Sequence, residues 1–132
     1  MSPVYYHYSW KEFDTDCNKV ARWAKDKKFK NIYGIPRGGL ILAVKLSHLL
    51  KIPVVLSEKD ISAETLVIDD IIDKDKVLSR FLDSIRCHKV VTASLFVGPD
   101  PAIKPDFSLH EKTVWIVFPW ETLASSRYDG TC

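Results

Sequence analysis

Three acidic side chains within five residues give the strongest chemical signal in the sequence. Asp69, Asp70 and Asp73 follow the apolar run of residues 65–68, which has the pattern of a strand covered on both faces. Carboxylates placed this close together repel one another unless a cation or a hydroxylated ligand offsets their charge. Mg²⁺ and ribose hydroxyls would both fit that role. An acidic first turn of a helix would explain Asp73 and Asp75, but not the pair before them.

A second candidate is the turn Pro36-Arg37-Gly38-Gly39, which joins a predicted strand to a predicted helix. Glycines let a ligand approach the backbone, and the N-H groups at the start of a helix attract anions. Arg37 could bind a phosphate through two parallel hydrogen bonds. An ordinary turn with Arg37 in solvent is equally compatible with these residues, so the motif alone decides nothing.

The third candidate is the apolar and aromatic segment of residues 113–121, in which Trp115 could stack on a planar base. Aromatic residues in strands more often belong to the core. In open α/β sheets, however, ligands bind beyond the carboxyl ends of the strands, where all three candidates are expected. We therefore expect Arg37, Trp115 and the three aspartates to open into one cleft.

Three helices are expected to position these residues. Ser9 and Glu12 have the spacing of a capping box and predict the start of the first helix. Residues 40–50 predict a second helix that is apolar around most of its circumference and therefore deeply buried. Residues 77–85 predict a third, amphipathic helix. The apolar stripe of the first helix consists of Phe13, Cys17, Val20, Ala21 and Ala24.

The predicted strands alternate with the helices and cover residues 31–36, 53–56, 65–68, 89–97 and 113–118. Residues 98–112, which contain three prolines, are predicted to form a loop. Parallel neighbouring strands require right-handed crossovers, which helices supply. We therefore predict an α/β fold with a mostly parallel twisted sheet and helices on both faces, in a single domain of residues 1–132.

The charge, the cysteines and the apolar segments of the sequence limit the classes of protein to which the chain could belong. Nineteen basic and 17 acidic residues give a net charge of +2, which is no bias toward nucleic acid or a membrane surface. Cys17, Cys87 and Cys132 are too widely spaced for a disulfide framework or a zinc site, and they favour a reducing, cytoplasmic location. The start of the chain lacks a signal-peptide pattern, and no apolar segment is long enough to cross a bilayer. Apolar residues such as Trp10 and Trp23 suggest a homodimer.

Together these segments resemble the type I phosphoribosyltransferases, especially the small bacterial xanthine-guanine and hypoxanthine enzymes, over about residues 10–121. The most specific part is residues 65–77, which are similar to the family signature for phosphoribosyl pyrophosphate (PRPP). That signature has four apolar residues, two acids, two apolar residues and then Asp-Thr-Gly. Arg37 and Gly38 resemble the family's Ser-Arg-Gly-Gly loop, with Pro36 in place of serine. Residues 115–120 resemble its Trp-Ile-x-x-Pro-Trp segment, and Glu121 replaces the acid that follows.

The resemblance implies a reaction in which a base nitrogen displaces pyrophosphate from C1 of PRPP, giving a nucleoside monophosphate. It implies Mg²⁺ as the cofactor, held by Asp69 and Asp70, and Asp73 as the acid-base residue. Trp115 and Ile116 would bind the base. PRPP would be bound by Arg37, Gly38, Asp69, Asp70, Asp73, Lys74, Asp75, Lys76 and Val77. The implied partners are PRPP and a nucleobase or nucleoside monophosphate.

Three departures from the family pattern keep an alternative open. The 5'-phosphate turn after Asp73 reads Lys74-Asp75-Lys76-Val77 where the family has Thr-Gly-x-Thr, so a carboxylate is added and hydroxyl donors are lost. Residues 57–64 are short where the family has a long lid. Residues 96–99 lack the lysine with which purine enzymes read a 6-oxo group.

The alternative is a catalytically weak or inactive relative that binds PRPP or a nucleotide as a sensor. A receiver-like signalling domain is a third interpretation, because such domains also gather aspartates at strand ends. It would place its acid pair after the first strand and a separate phosphate-accepting Asp elsewhere, whereas here all three acids share one segment.

Overall fold

The computed structural model describes residues 4–74, 77–85, 89–101 and 103–125. Within these ranges the chain forms six strands, three α-helices and one short 3-10 helix, Glu58–Asp60. The helices are α1 (Trp10–Lys25), α2 (Gly38–Leu50) and α3 (Val77–Ser84). The strands are β1 (Tyr5–His7), β2 (Asn31–Gly34), β3 (Thr65–Ile72), β4 (Val91–Val97), β5 (Phe107–Glu111) and β6 (Trp115–Val117).

The main sheet has the order β2-β3-β4-β5, and all of its neighbouring strands are parallel. Leu66 and Ile68 of β3 pack with α1 and α2 on one face, whereas Val67 packs with α3 on the other. Each of these three side chains is at most 1% exposed. The predicted α/β fold, with a parallel sheet and helices on both faces, is therefore confirmed.

Helix α1 begins as its capping box predicts. The Ser9 hydroxyl accepts a hydrogen bond from the Glu12 N-H at 3.1 Å, and the Glu12 carboxylate accepts one from the Ser9 N-H at 3.0 Å. These bonds satisfy two backbone donors that a helix start leaves open. The predicted stripe then packs on the sheet, and its buried members are Phe13, Cys17, Val20 and Ala24.

The prediction that α2 is buried around most of its circumference is wrong. Val44 is 52% exposed and Leu49 is 36% exposed, although Leu42 and Leu46 are fully buried. Helix α2 contacts β2, β3 and α1, which cover only one side of its cylinder. The opposite side therefore faces outward in spite of its apolar residues.

Strand β3 is longer than predicted and carries part of the acidic cluster within it. Asp69 is in register with Ser94, and Ile72 is in register with Val97. Pairing continues because β4 runs alongside for the same length. The first two acids are thus strand residues, and only Asp73 follows the strand end.

The carboxyl-terminal part of the chain departs most from the prediction. Strand β5 lies within residues 98–112, which were predicted to form a loop, and it occupies the sheet edge beside β4. With that edge taken, β6 pairs in parallel with β1 in a separate two-stranded sheet, so the expectation that residues 113–118 join the main sheet is wrong. The predicted strand at residues 53–56 is reduced to one bridge between Val54 and Ile32.

None of the helices in the described ranges is long and apolar enough to cross a membrane.

Candidate functional site

A cavity of about 560 Å³ opens at the carboxyl ends of β2 and β3 and is closed on one side by β6 and the residues after it. Seven predicted site residues line it: Arg37, Gly38, Asp69, Asp70, Asp73, Trp115 and Ile116. The cleft expected from the sequence therefore exists as a single space. Lys74 does not line it. Asp75 and Lys76 lie outside the described residues, as does the side chain of Val77, whose backbone begins α3.

Asp69 and Asp70 lie at the centre of this arrangement. The Asp69 carboxylate accepts a hydrogen bond from the Asp70 N-H at 2.8 Å, and the Asp70 carboxylate accepts one from the Ile71 N-H at 2.8 Å. A Cβ on Gly38 would lie 2.0 Å from Asp70 Oδ2, so only glycine at the start of α2 leaves room for this carboxylate. Burial raises the pKa of Asp70 above its usual value. A cation or hydroxyl donor beside it would relieve that cost.

The donor chemistry of this pair fits Mg²⁺. Carboxylate oxygens are the ligands that this ion prefers, and it commonly takes only one or two from the protein, with the rest from phosphates and water. No group of three or more His, Cys, Asp or Glu that could hold a metal occurs among the residues that the structure describes. The two carboxylates of Asp69 and Asp70 are compatible with that coordination.

Asp73 is paired with Lys112, which the sequence analysis did not identify. Lys112 Nζ lies 2.9 Å from Asp73 Oδ2, and both side chains are about one-fifth exposed, at 21% and 20%. The hydrogen bond from Lys112 lowers the pKa of Asp73, with help from the Lys74 N-H, which donates to Asp73 Oδ1 at 2.8 Å. Gly98 is packed against the same carboxylate, because a Cβ there would lie 2.0 Å from Asp73 Oδ1.

Lys112 could have been identified from the sequence if β5 had been predicted as a strand. Lys112 directly follows β5, and the carboxyl ends of parallel strands meet at the edge where ligands bind. Because residues 98–112 were predicted to be a loop, no strand end was expected there. The alternation of apolar and polar residues in β5 is the pattern that should have indicated a strand.

The aromatic wall of the cavity is formed by β6 and the residues that follow it. Trp115 is 55% exposed, and Lys112 Nζ lies 5.2 Å from its ring centre. Ile116, the next residue of β6, is buried in the hydrophobic core, at 5% exposed. Phe118 and Trp120 stack with ring centres 4.9 Å apart and fix the chain after β6. An exposed indole on a rigid support can serve as a stacking surface for a planar ligand.

Arg37 and Glu121 extend the polar lining. Arg37 precedes α2, its peptide bond with Pro36 is cis, and its Nη2 donates to the Ser125 carbonyl at 3.2 Å. Glu121 accepts a hydrogen bond from the Phe118 N-H at 2.9 Å. Burial is the main cause that raises the pKa of Glu121, and the nearby Asp70 raises it further. In the described part of the cavity wall, cations and carboxylates are thus interleaved, which suits a ligand carrying both phosphates and hydroxyls.

A second cavity of about 530 Å³ lies between α1, β1 and β5, and it shares only Ile116 of the predicted site residues with the first. Its floor contains the buried Asp16, whose side chain is 6% exposed. Asp16 Oδ2 accepts a hydrogen bond from the Tyr8 hydroxyl at 2.5 Å and is joined to His110 Nε2 at 2.8 Å. Two such bonds offset the cost of burying this carboxylate. No feature of the sequence analysis predicted this network.

The comparisons with known proteins found matches by three-dimensional structure but none by sequence. No protein-family model matches the chain, and no curated protein matches it. Solved structures do match. A purine phosphoribosyltransferase from Pyrococcus horikoshii superposes with a TM-score of 0.78 at 27% identity, covering 89% of this chain and 94% of that one.

Two further structures share the fold at lower identity. A xanthine-guanine-hypoxanthine phosphoribosyltransferase from Helicobacter pylori has a TM-score of 0.77 at 22% identity, covering 90% of this chain and 95% of its own. A hypothetical protein from Neisseria gonorrhoeae with bound ppGpp has a TM-score of 0.71 at 19% identity, covering 96% of this chain and 94% of its own. At these identities the likeness concerns the fold alone.

Proposed function

We propose that the chain is a member of the type I phosphoribosyltransferase family, whose fold it shares, and that it transfers a phosphoribosyl group from PRPP to a purine-like nucleobase. One observation carries the proposal. Arg37, the carboxylates of Asp69, Asp70 and Asp73, and the exposed Trp115 ring all line the same cavity. These groups match the parts of the reactants: pyrophosphate, ribose with its cation, a proton to be removed, and a planar base.

Asp69 and Asp70 are proposed to bind the ribose hydroxyls and to hold Mg²⁺. When bound, Mg²⁺ would neutralise charge on pyrophosphate and make it a better leaving group. The carboxylate of Asp70 is suited to this role because burial raises its pKa, and a cation beside it would offset that cost.

The proposed chemistry is one displacement at C1 of the ribose. The bond from C1 to the pyrophosphate oxygen breaks, and its electron pair leaves with pyrophosphate. A ring nitrogen of the base forms the new bond to C1, and a proton of the base passes to the Asp73 carboxylate. Lys112 lowers the pKa of Asp73 and holds its carboxylate in place at 2.9 Å, so the carboxylate is ionised before the proton arrives. Carboxylates near the sugar favour the positive charge that develops on it.

The start of α2 and strand β6 are proposed to bind and orient the reactants. The N-H groups at the start of α2 and the Arg37 guanidinium are proposed to bind pyrophosphate. The Trp115 ring is proposed to stack on the base, and Ile116 is proposed to contact it from the same cavity wall. Holding both reactants in one cavity converts an encounter of two molecules into a reaction between aligned groups.

A nucleotide sensor is the second candidate, and two observations favour it. The Neisseria gonorrhoeae relative is described with bound ppGpp, a guanine nucleotide. The turn that follows Asp73 also lacks the glycine and hydroxyl donors of the family pattern. A sensor would keep the Trp115 ring that stacks on the base and the ribose-binding Asp69 and Asp70, but it would not release pyrophosphate.

One assay distinguishes the phosphoribosyltransferase from the nucleotide sensor. The protein is incubated with PRPP, Mg²⁺ and a panel of purine and pyrimidine bases, and pyrophosphate release is measured. We expect release with at least one purine and a loss of about 100-fold or more in Asp73→Asn, because removing a positioned base typically costs about 10²- to 10⁴-fold. Asp14→Asn, whose carboxylate pairs with Lys45 outside the cavity, is the matched control.

The outcomes are distinct. No pyrophosphate with any base, together with nucleotide binding that survives Asp73→Asn, would favour the sensor. Full activity in Asp73→Asn would refute the role of Asp73. A location in the cytoplasm and a homodimer remain proposals, which fractionation and sedimentation would test separately.

A further inference from the structure

We infer that the second cavity is a binding site for a small organic anion with a single aromatic ring, separate from the site of the proposed reaction. The cavity lies between α1, β1 and β5, and among the described residues it shares only Ile116 with the first cavity. Its volume of about 530 Å³ is in the range of small-molecule sites. Its lining combines a buried polar pair, an apolar wall and a row of lysines.

The buried polar pair holds the His110 ring in one orientation. Asp16 Oδ2 lies 2.8 Å from His110 Nε2 and also accepts a hydrogen bond from the Tyr8 hydroxyl. Burial is the main cause that raises the pKa of Tyr8, so this hydroxyl keeps its proton and remains a donor. Because a carboxylate is an acceptor, Nε2 carries the hydrogen of the bond to Asp16. Within the described ranges the other ring nitrogen, Nδ1, forms no hydrogen bond, and the side chain is 40% exposed, so a ligand can reach it.

Packing alone does not explain why this pair is polar. Asp16 is buried together with Phe13 and Val20, which belong to the apolar stripe of α1. An apolar residue at this position would continue the stripe, and replacing a buried ion pair by apolar residues is often neutral or stabilising. The carboxylate instead places an oriented polar ring at the surface of a cavity, which is the arrangement of a binding site.

An apolar wall stands beside the His110 ring. The centre of that ring lies 5.1 Å from the centre of the Phe96 ring, which meets the Tyr8 ring edge-on at 5.4 Å. Phe96 and Ile116 are each 5% exposed, and Val114 also lines the cavity. Packed rings of this kind form a rigid surface on which another planar ring can stack. The wall therefore favours a ligand whose apolar part is a ring.

Helix α1 supplies the positive charge. Lys11, Thr15 and Lys19 follow one another at intervals of four residues, so they lie on one face of the helix, and all three line the cavity. Neither of these lysines forms an ion pair within the part of the chain that the structure describes. Two ammonium groups on either side of a hydroxyl suit one carboxylate or phosphate group.

The acids of the lining do not cancel this charge. Glu12 accepts hydrogen bonds from the Tyr6 hydroxyl and the Ser9 N-H, and these bonds lower its pKa. Asp16 already has two donors. Glu111 is the remaining acid of the described lining, and it belongs to β5 rather than to α1. The anionic group of a ligand is therefore expected at α1, with its ring toward the apolar wall.

The test uses three small probes. Benzoate and phenyl phosphate each join one ring to one anionic group, and benzyl alcohol is the neutral counterpart. Nuclear magnetic resonance titrations of the wild-type protein report both the affinity and the place of binding. We expect both anions to shift the signals of His110, Thr15 and Thr113, and the tighter one identifies the anionic group as carboxylate or phosphate. Benzyl alcohol should bind at least about 5-fold more weakly, because it forms no ion pair.

Charge variants test the role of α1. Replacing both lysines, in Lys11→Gln/Lys19→Gln, should weaken the binding of the anions by roughly 3- to 20-fold, since one exposed ion pair contributes up to about 5-fold. Glu111→Gln should strengthen it by about 2-fold, because a like charge is removed at a distance that salt partly screens. Lys25→Gln is the matched control, since Lys25 belongs to the same helix but lines neither cavity.

A histidine variant tests the polar pair. His110→Gln should weaken the binding of the anions by about 5-fold, through the loss of one hydrogen bond. His48→Gln, at an exposed position of α2 that lines neither cavity, should leave it unchanged. Circular dichroism of each variant checks that it is folded.

The refuting results are equally specific. Signal shifts confined to Gly38 and Asp70 in the first cavity, or no shift at His110 and Thr15, would overturn the inference. Benzyl alcohol binding as tightly as benzoate, or an unchanged affinity in the double lysine variant, would do so as well. None of these results concerns pyrophosphate release, so this inference and the proposed function can fail independently.

Discussion

Replacing Gly98 by alanine tests whether the position of Asp73, rather than its presence alone, matters at the candidate site. The new Cβ would lie 2.0 Å from Asp73 Oδ1, whereas ordinary van der Waals contact begins at 3.4 Å. The carboxylate must therefore move by about the difference, 1.4 Å. It can do so because it is the end of a side chain and partly exposed. The fold should survive the change.

The functional cost should be large. A shift of that size breaks the 2.9 Å contact with Lys112 and carries the carboxylate away from the base. A misplacement of about 1 Å can cost about 100-fold in rate, so we expect kcat/KM to fall by about that factor. Pyrophosphate release is the assay, and the melting temperature of each variant reports whether the fold is intact.

A double-mutant cycle with Asp73→Ala isolates the cause. Without the Asp73 carboxyl group, the contacts at 2.0 and 2.6 Å disappear, and the nearest remaining Asp73 atom is Cα at 3.3 Å. Gly98→Ala should then cost less than about 3-fold, since the two effects are strongly coupled. An equal loss in both backgrounds would refute the reasoning, because it would mean that the alanine acts elsewhere.

Three further predictions follow from single contacts. Asp70→Asn should abolish pyrophosphate release yet stabilise the fold by about 1 kcal/mol, because it removes a charge that burial disfavours; a lowered melting temperature would contradict this. Tyr8→Phe should destabilise the protein by about 1–3 kcal/mol in denaturant titrations, since the buried Asp16 loses a donor, and an unchanged midpoint would argue against that bond. Lys112 lowers the pKa of Asp73, so their pair stabilises the fold above the unfolded carboxyl pKa of about 3.9 and loses this effect as pH falls through the lower folded value. Lys112→Met should therefore be less stable than wild type at pH 7 and equally stable at about pH 2 in circular-dichroism melts, whereas a constant deficit would refute the linkage.

Features encoded in neighbouring residues could be predicted from the sequence. The capping box of α1 is a local hydrogen-bond pattern, so Ser9 and Glu12 indicated the helix start correctly. The uninterrupted apolar residues of β3 are typical of a strand buried on both faces and predicted that strand correctly, although Asp69 and Asp70 lie within it rather than after it. The rule that parallel strands end at one edge brought Arg37 and the acids together correctly, whereas Trp115 lines the cleft from the separate sheet of β1 and β6.

Features that depend on distant parts of the chain could not be predicted in the same way. Val44 and Leu49 are as apolar as their buried neighbours, and only the packing of α1 and the sheet on one side of α2 leaves them exposed. The three prolines of residues 98–112 led to a loop prediction, so β5 and the Lys112 that follows it were missed. The partner of Lys112, Asp73, is 39 residues away in the chain. The pairing of β1 with β6 joins the two ends of the described chain, which no local pattern reveals.

The most direct test of the account is a crystal structure of the protein with inosine 5'-monophosphate, Mg²⁺ and pyrophosphate. We expect the purine ring to lie against Trp115, the ribose hydroxyls on Asp69 and Asp70, and pyrophosphate beside Arg37, all within the first cavity. A nucleotide seated instead in the second cavity beside His110, or a base that makes no contact with Trp115, would contradict it.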